Sequence, residues 1–363
     1  MNDRLNTLLH KQDLAKADIV ELLALSVPED IEALRVRAHE VMVDNVGDAV
    51  YYRGLIELSN ICALDCYYCG IRAGNSNIER YTLAKSDVID AANWCADQGY
   101  GSIVLQAGER SDEGWINFVE QLIVDIKTST VRPELPQGVG ITLSLGEQSR
   151  ATYARWRAAG AHRYLLRIES TNPQLFASIH PAGQKLTERQ TCLKWLAETG
   201  FQVGTGVMIG IPGQTLEMLA DDVLFFKTMD IDMIGMGPYL AHNDTPMGSW
   251  EQPLSKDEVL LLAYKMIAVV RLVLKDVNIA ATTALQAIVK DGRERGLTYG
   301  ANVTMPNLTP TEVRKNYQLY EGKPCMDEGR AECRGCLLGR IEGVGRHVAF
   351  NEWGDSKHYT KKD

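Results

Sequence analysis

The chain has 363 residues, 45% of them hydrophobic, with 38 Lys and Arg against 47 Asp and Glu for a net charge of −9. That acidic balance argues against a general nucleic-acid binder, and no apolar run reaches the roughly 18 residues of a membrane-spanning helix. The first 16 residues are polar and mixed in charge with no apolar signal core, so a cytoplasmic setting is expected, where the eight cysteines are metal ligands or free thiols rather than disulfides.

Residues 1–45 read as two helices. Ile19, Val20, Leu22, Leu23 and Leu25 give the first its apolar face; Pro28 and Asp30 open the second, which carries Ile31, Leu34, Val36 and Val41. From Val50 onward, short apolar runs alternate with amphipathic stretches. Strands are predicted at 51–58, 102–106, 140–145, 163–167, 202–208, 233–236, 277–280 and 301–305. Helical patterns fall between them at 86–98, 115–127, 188–199, 216–229 and 256–275. Regular βα alternation implies an α/β fold with a parallel sheet and right-handed crossovers. Eight such units imply a closed (βα)8 barrel of the TIM type, with a six-unit partial barrel as the alternative. The expected division is an N-terminal helical extension at 1–48, a barrel at 49–322 and a cysteine-bearing extension at 323–363. In such a barrel, functional residues sit at the C-terminal ends of the strands.

Cys62, Cys66 and Cys69 follow the first predicted strand as C-x3-C-x2-C. Three thiolates from one loop suit three irons of a [4Fe-4S] cluster and leave the fourth open to an exogenous ligand. A zinc half-site is the alternative, but no His or fourth Cys is local. Cys325, Cys333 and Cys336 form a second group, C-x7-C-x2-C, with Lys323, Arg330, Arg334 and Arg340 nearby to favour thiolates. Cys95 and Cys192 stand alone and read as buried free thiols. His162, His180 and His242 have no companion at metal-ligand spacing and read as structural.

The first triad, with Tyr68 just before its last cysteine, resembles the signature loop of the radical S-adenosylmethionine (SAM) superfamily. The resemblance implies that the open iron chelates SAM and that one electron cleaves it to a 5′-deoxyadenosyl radical, chemistry that belongs to the cofactor. It also implies that Tyr68 packs near the adenine. Gln106, Ala107, Gly108 and Glu109 end the second strand; the last three resemble the family's GGE-like motif, with Ala in place of the first Gly. There, exposed backbone accepts the SAM ammonium. Glu169 suits the ribose hydroxyls and Arg189 the SAM carboxylate, with ion pairing as the alternative for both. Thr142, Ser144 and Met233 complete the expected SAM contacts.

Several stretches are similar to the HydE family of [FeFe]-hydrogenase maturases. They include Arg53-Gly54-Leu55-Ile56-Glu57-Leu58-Ser59-Asn60, Cys66-Tyr67-Tyr68-Cys69-Gly70-Ile71-Arg72 and Thr142-Leu143-Ser144-Leu145-Gly146-Glu147, and the likeness covers roughly 14–336. The C-terminal triad resembles that family's accessory site, which implies a second [2Fe-2S] or [4Fe-4S] cluster, dispensable for activity. The implied substrate is a small anionic iron–cysteine complex bearing CO and cyanide, on the way to the diiron part of the hydrogenase H-cluster. Arg163, Arg167, Thr282, Thr283 and Tyr320 are the residues the resemblance assigns to it, Arg167 facing a carboxylate. Helix capping is the alternative for each threonine, and sealing the barrel top for Tyr320. Expected partners are other hydrogenase maturases and an electron donor of the ferredoxin or flavodoxin type, with no nucleic acid and no membrane. Two other readings stand beside this one. A methylornithine synthase- or biotin synthase-like radical SAM enzyme needs no C-terminal triad. A non-catalytic metal-binding scaffold binds metal without cleaving SAM.

Overall fold

The computed structural model describes residues 3–362. Eight parallel strands lie side by side in chain order. They are β1 (Ala49–Ser59), β2 (Ser102–Ala107), β3 (Gly140–Ser144), β4 (Arg163–Leu165), β5 (Gln202–Thr205), β6 (Met233–Ile234), β7 (Asn278–Ile279) and β8 (Val303–Thr304). Tyr51 and Tyr52 of β1 pair with Val303 and Thr304 of β8, and Ala280 bridges to Val303. The sheet therefore closes on itself, and the eight-unit barrel holds rather than the six-unit one.

All eight predicted strands are present, several of them shorter. The run predicted at 202–208 splits after Thr205, and Met208–Ile209 pairs separately with Gly237–Pro238. The cause is local. A Cβ on Gly206 would lie 2.1 Å from the Gly235 carbonyl oxygen, so the two chains pass too closely there to continue as pleated neighbours.

The helices between strands follow their sequence signals. Ser255 and Glu258 form a reciprocal capping box at the start of Lys256–Val273. The Asp112 side chain caps Glu113–Ser129 by accepting from Trp115 N at 3.0 Å. Helix Lys256–Val273 is apolar on most of its circumference because it packs against Lys16–Leu23 and Pro28–Val46 as well as the barrel. The N-terminal expectation needs correcting: a further helix, Asp3–Leu9, precedes the other two and buries Leu5, Leu8 and Leu9. Seven residues are too few for a periodic pattern to stand out. Among the described residues no helix is long and apolar enough to cross a membrane.

The last part of the chain closes the barrel floor, at the N-terminal ends of the strands. Strand β9 (His347–Val348) adds to the first residues of β1. Beyond it, the Gly354 carbonyl accepts from Arg53 Nη2 at 3.1 Å and from Asn278 Nδ2 at 2.9 Å. Gly354 has φ 65°, and a Cβ there would meet the Tyr51 ring at 2.5 Å, so no other residue fits. Asp355 reaches Arg163 Nη1 at 2.6 Å and His162 Nε2 at 3.1 Å. Above this floor lies a small cavity of about 30 Å³, lined by Arg53, Thr142, Leu165, Met233, Asn278 and Met305 among others.

Candidate functional site

At the opposite end, β1 runs out at Ser59 and the chain enters the cysteine loop. Irregular backbone needs partners for its polar groups, and here side chains supply them. Asn60 Nδ2 donates to the carbonyls of Glu79 (2.8 Å) and Asn316 (2.7 Å), while its Oδ1 accepts from Tyr81 N at 2.8 Å. Arg80 gathers the loop from inside. Its Nη1 donates to Asn60 O (2.6 Å) and Ile71 O (2.8 Å), and its Nη2 to Arg72 O (2.6 Å) and Asn75 O (2.9 Å). A Cβ on Gly70 would lie 2.0 Å from Gln318 O, so glycine lets the segment around Gln318 close over the loop.

Cys62 Sγ accepts from Glu109 N at 3.3 Å and from Leu64 N at 3.4 Å. This contact depends on Gly108, where a Cβ would stand 2.4 Å from Ile61 O. The GGE-like stretch therefore does something the sequence reading did not assign to it. Gly108 N donates to Ser59 O at 2.9 Å and Glu109 O accepts from Ala63 N at 2.8 Å, so its backbone clamps the cysteine loop.

Burial raises the Cys62 thiol, moderated by its two N–H donors. Burial pushes Cys66 up to about 12, with Cys62 adding to the rise against Arg189. Cys69 is raised further, by burial and then by Cys66 and Cys62. Three neighbouring thiols, Cys66 buried and Cys62 and Cys69 half-buried, that oppose one another's ionisation become thiolates together only around a positive group, which is what an iron–sulfur cluster provides. Among the described residues no three Cys, His, Asp or Glu side chains converge on the space of a single ion. Three thiols from one loop match the three-thiolate ligation of a [4Fe-4S] cluster that keeps one iron open.

The wall beside the triad is charged. Glu169 sits at φ 63°, a backbone state that costs a non-glycine residue about 1–3 kcal/mol and is typical of functional positions. Its carboxylate is buried and lies 3.2 Å from Arg167 Nη2, yet Glu169 Oε2 and Arg167 Nε both lack an aligned hydrogen-bond partner. Burial raises the Glu169 carboxyl, countered by Arg167 and Arg189. Arg189 donates through Nη1 to Arg167 O at 2.6 Å and pairs through Nε with Glu147. The expected carboxylate partner of Arg189 was SAM; within the chain, that partner is Glu147. Glu109 Oε2 accepts from Glu147 N at 2.7 Å, and burial lifts the Glu109 carboxyl to about 7.

Tyr68 packs with Met208, Ile211 and Tyr239 in a satellite apolar cluster. Its hydroxyl lies 3.3 Å from His180 Nε2, and His180 Nδ1 lies 2.8 Å from Phe176 O. Burial lowers His180 to about 4, so the ring is neutral. Nδ1–H then donates to Phe176 and Nε2 accepts from Tyr68, a structural role as expected. Gln106 pairs in register with Ser144 on one side and Glu57 on the other, which puts all three in one row near the mouth.

Three expected site residues lie elsewhere. Thr142 and Met233, assigned to SAM, line the lower cavity: Thr142 Oγ1 accepts from Arg163 Nε at 3.0 Å and Met233 Sδ from Arg53 Nη1 at 3.0 Å. Arg163, assigned to substrate, opens β4 at the floor. Its guanidinium is committed to Thr142, Ser102, the Trp353 carbonyl and Asp355. By contrast, Tyr320 is half-buried at the mouth, its phenol raised by burial and by Glu57 and lowered by Arg293 and Arg167. Thr282 Oγ1 donates to Met236 O at 3.1 Å and makes no capping bond, so the capping alternative does not describe it. Thr283 begins helix Thr283–Ile288 beside it.

Two residues at the mouth were missed. Glu57 is buried, pairs with Lys323, and keeps Oε2 without a hydrogen-bond partner. The available signal was an acidic residue set among Leu55, Ile56 and Leu58. Gln184 Oε1 lies 3.3 Å from Cys66 Sγ, and nothing local in the sequence announces that.

In the C-terminal group, Cys333 is buried on helix Arg330–Gly343, Cys336 is exposed one turn later, and Cys325 has φ 61°. The Cys325 thiol is held below its ordinary value by a hydrogen bond from Cys333, whose own thiol is raised. The cations expected to favour thiolates are not the ones in place. Lys323 pairs with Glu57 and Arg340 with Glu294, whereas Arg293 and Arg314 act on Cys325, and Arg314 Nη1 donates to its carbonyl at 2.9 Å.

The family profile described as Radical SAM superfamily matches residues 56–226. The "[FeFe] hydrogenase maturase subunit HydE" of Thermotoga maritima is 40% identical over 349 residues, covering 96% of this chain and 96% of that one. "Biotin synthase 1" of Corynebacterium diphtheriae is 25% identical over 329 residues, 88% of this chain and 86% of that one. Among solved structures, methylornithine synthase (PylB) superposes with a TM-score of 0.80 at 23% identity, over 96% of this chain and 97% of that one. HydG from Carboxydothermus hydrogenoformans superposes at 0.79 with 19% identity, over 96% and 78%. At those identities the structural likeness is one of fold. The identity to the Thermotoga protein, running through nearly the whole of both chains, decides the closer kinship: the protein belongs to the HydE family of the radical SAM superfamily.

Proposed function

We propose that the protein is a radical SAM enzyme that cleaves SAM reductively and acts in assembly of the [FeFe]-hydrogenase H-cluster. The observation that carries the chemistry is the loop of three cysteines, Cys66 buried and Cys62 and Cys69 half-buried, at the C-terminal mouth of a closed barrel. Cys62, Cys66 and Cys69 would hold a [4Fe-4S] cluster, which would supply the one electron for reductive cleavage of SAM to methionine and a 5′-deoxyadenosyl radical. The chain's own groups bind and orient. Glu169 presents a buried carboxylate oxygen suited to a ribose diol. Tyr68 bounds the apolar side of the same wall, and Arg189 fixes the position of Arg167 through its carbonyl. Arg167, with Nε unpartnered, and Tyr320 suit the carboxylate of a small anionic iron–cysteine complex bearing CO and cyanide. A ferredoxin- or flavodoxin-type donor supplies the electron, and other maturases make and receive the complex.

The test is anaerobic. The protein is reconstituted with iron and sulfide, reduced with dithionite, and examined by EPR before and after SAM is added, while 5′-deoxyadenosine is assayed. A reduced-cluster signal perturbed by SAM, with 5′-deoxyadenosine formed, is expected. A cluster indifferent to SAM would favour the metal scaffold instead.

A second iron–sulfur site at Cys325, Cys333 and Cys336 belongs to the same proposal. It is supported by the Cys325–Cys333 contact and the flanking Arg293 and Arg314. Cys333→Ser is expected to lower iron content without abolishing 5′-deoxyadenosine formation. Loss of cleavage equal to that of a Cys66 variant would show that the second site is not accessory.

A further inference from the structure

We propose that Gln184 is a positioning residue for Cys66, its side-chain amide turning to donate a hydrogen bond to the thiolate once iron is bound and thereby setting the cluster's reduction potential. The inference rests on the reading of the triad as a cluster site.

Gln184 lies in the turn between helices Pro173–Ile179 and Leu186–Glu198, closed by Gln184 N donating to Pro181 O at 2.9 Å. That turn is tied to the cysteine loop by the main-chain bond from Tyr67 N to Ile179 O at 3.0 Å. The meeting of Gln184 with Cys66 across 118 positions is therefore fixed by backbone on both sides. With Cys66 protonated, Sγ–H donates to Gln184 Oε1 at 3.3 Å. The other end of the amide, Nε2, is buried and has no partner.

Ligation inverts this arrangement. A thiolate bound to iron has no proton to give, so the carbonyl oxygen would face an anion. A half-turn about the terminal bond exchanges oxygen and nitrogen at no change in shape. Nε2 then donates to Sγ, and a buried carbonyl oxygen rather than a buried N–H is left without a partner, the less costly of the two. The N–H now touches a group that becomes more negative when the cluster takes up an electron. A donor there stabilises the reduced state more than the oxidised one and so raises the potential.

The measurement is an anaerobic redox titration of the reconstituted protein followed by EPR, with iron and sulfide determined on each sample. Gln184→Leu keeps the bulk and removes the donor. Its equilibrium constant for reduction is expected to fall about tenfold, a shift of about 59 mV to lower potential for one electron. Gln184→Glu keeps the shape and offers acceptors only, so its potential falls at least as far, and it carries the test if the leucine variant loads poorly. Potentials unchanged or raised in variants with full iron overturn the inference and leave the cluster site standing. A wild-type protein that takes up no reducible cluster overturns both.

Discussion

Cys66→Ser is expected to reduce iron uptake at the first site to background and to lower 5′-deoxyadenosine formation by more than about 100-fold. Even the hydrogen-bonding partners of metal ligands are worth about 10–100-fold in affinity or activity, and a ligand is worth more. Serine keeps nearly the volume of cysteine and can still donate to Gln184, so the loop should retain its shape. What it lacks is a soft anion, since a hydroxyl does not ionise near neutral pH. Cys62 and Cys69 would then have to hold the cluster alone. The comparison is Cys192→Ser. Cys192 is a buried thiol outside the loop that donates to Gln148 O, a contact serine also makes, so iron content and turnover should match wild type. Iron analysis and the cleavage assay on both variants decide the matter. Wild-type iron and turnover in Cys66→Ser would remove the triad from the mechanism.

The largest effect on stability is expected at the barrel floor. Asp355→Ala should cost about 3 kcal/mol in urea unfolding, toward the lower end for a broken buried pair. Arg163 is 0% exposed and Asp355 30% exposed, so deleting the carboxylate strands a wholly buried guanidinium. Ser102, Thr142 and the Trp353 carbonyl remain as acceptors but bring no charge. If charge burial rather than lost shape is the cause, the double variant Arg163→Met with Asp355→Leu should lose less than Asp355→Ala alone. An Asp355→Ala midpoint equal to wild type would show that the pair is neutral.

The same cluster sets the acid response. Burial alone would raise the Asp355 carboxyl, but His162 and Arg163 together hold it well below the usual range. Burial, with the Arg163 charge adding, pulls His162 down to about 3. The His162–Asp355 contact is thus a hydrogen bond from a neutral ring, and the ion pair of the site is Arg163 with Asp355. Both folded values are depressed, so each group contributes stability above its unfolded pKa and loses it in acid. Stability should fall as the pH drops below about 6.5, through His162, and again below about 4, through Asp355. Asp355→Ala should lack the lower limb.

What could be read from sequence was what is close in sequence. The triad declares itself because its three ligands share one loop, and the strands because apolar runs alternate with helical faces. Contacts made by folding left no trace: Gln184 meets Cys66 across 118 positions and Asp355 meets Arg163 across 192. Arg163 was misplaced for a related reason. A strand predicted at 163–167 puts Arg163 and Arg167 on one element. The observed strand ends at Leu165, so Arg163 opens it at the floor and Arg167 lies beyond it, beside Glu169. Residues 353–355 carry no periodicity, and their role as a floor follows only from where the barrel ends.

Arg80 has a consequence for how metal enters. Where a site is built by its metal, as in small zinc domains, the apo chain is unfolded and binding free energy is consumed in ordering it. In this chain one guanidinium draws five carbonyls of the loop together, and Asn60 and Gly70 fasten its ends. Iron affinity here should therefore depend on hydrogen bonds made wholly within the protein, and Arg80→Leu should weaken cluster uptake while every thiol remains in the chain.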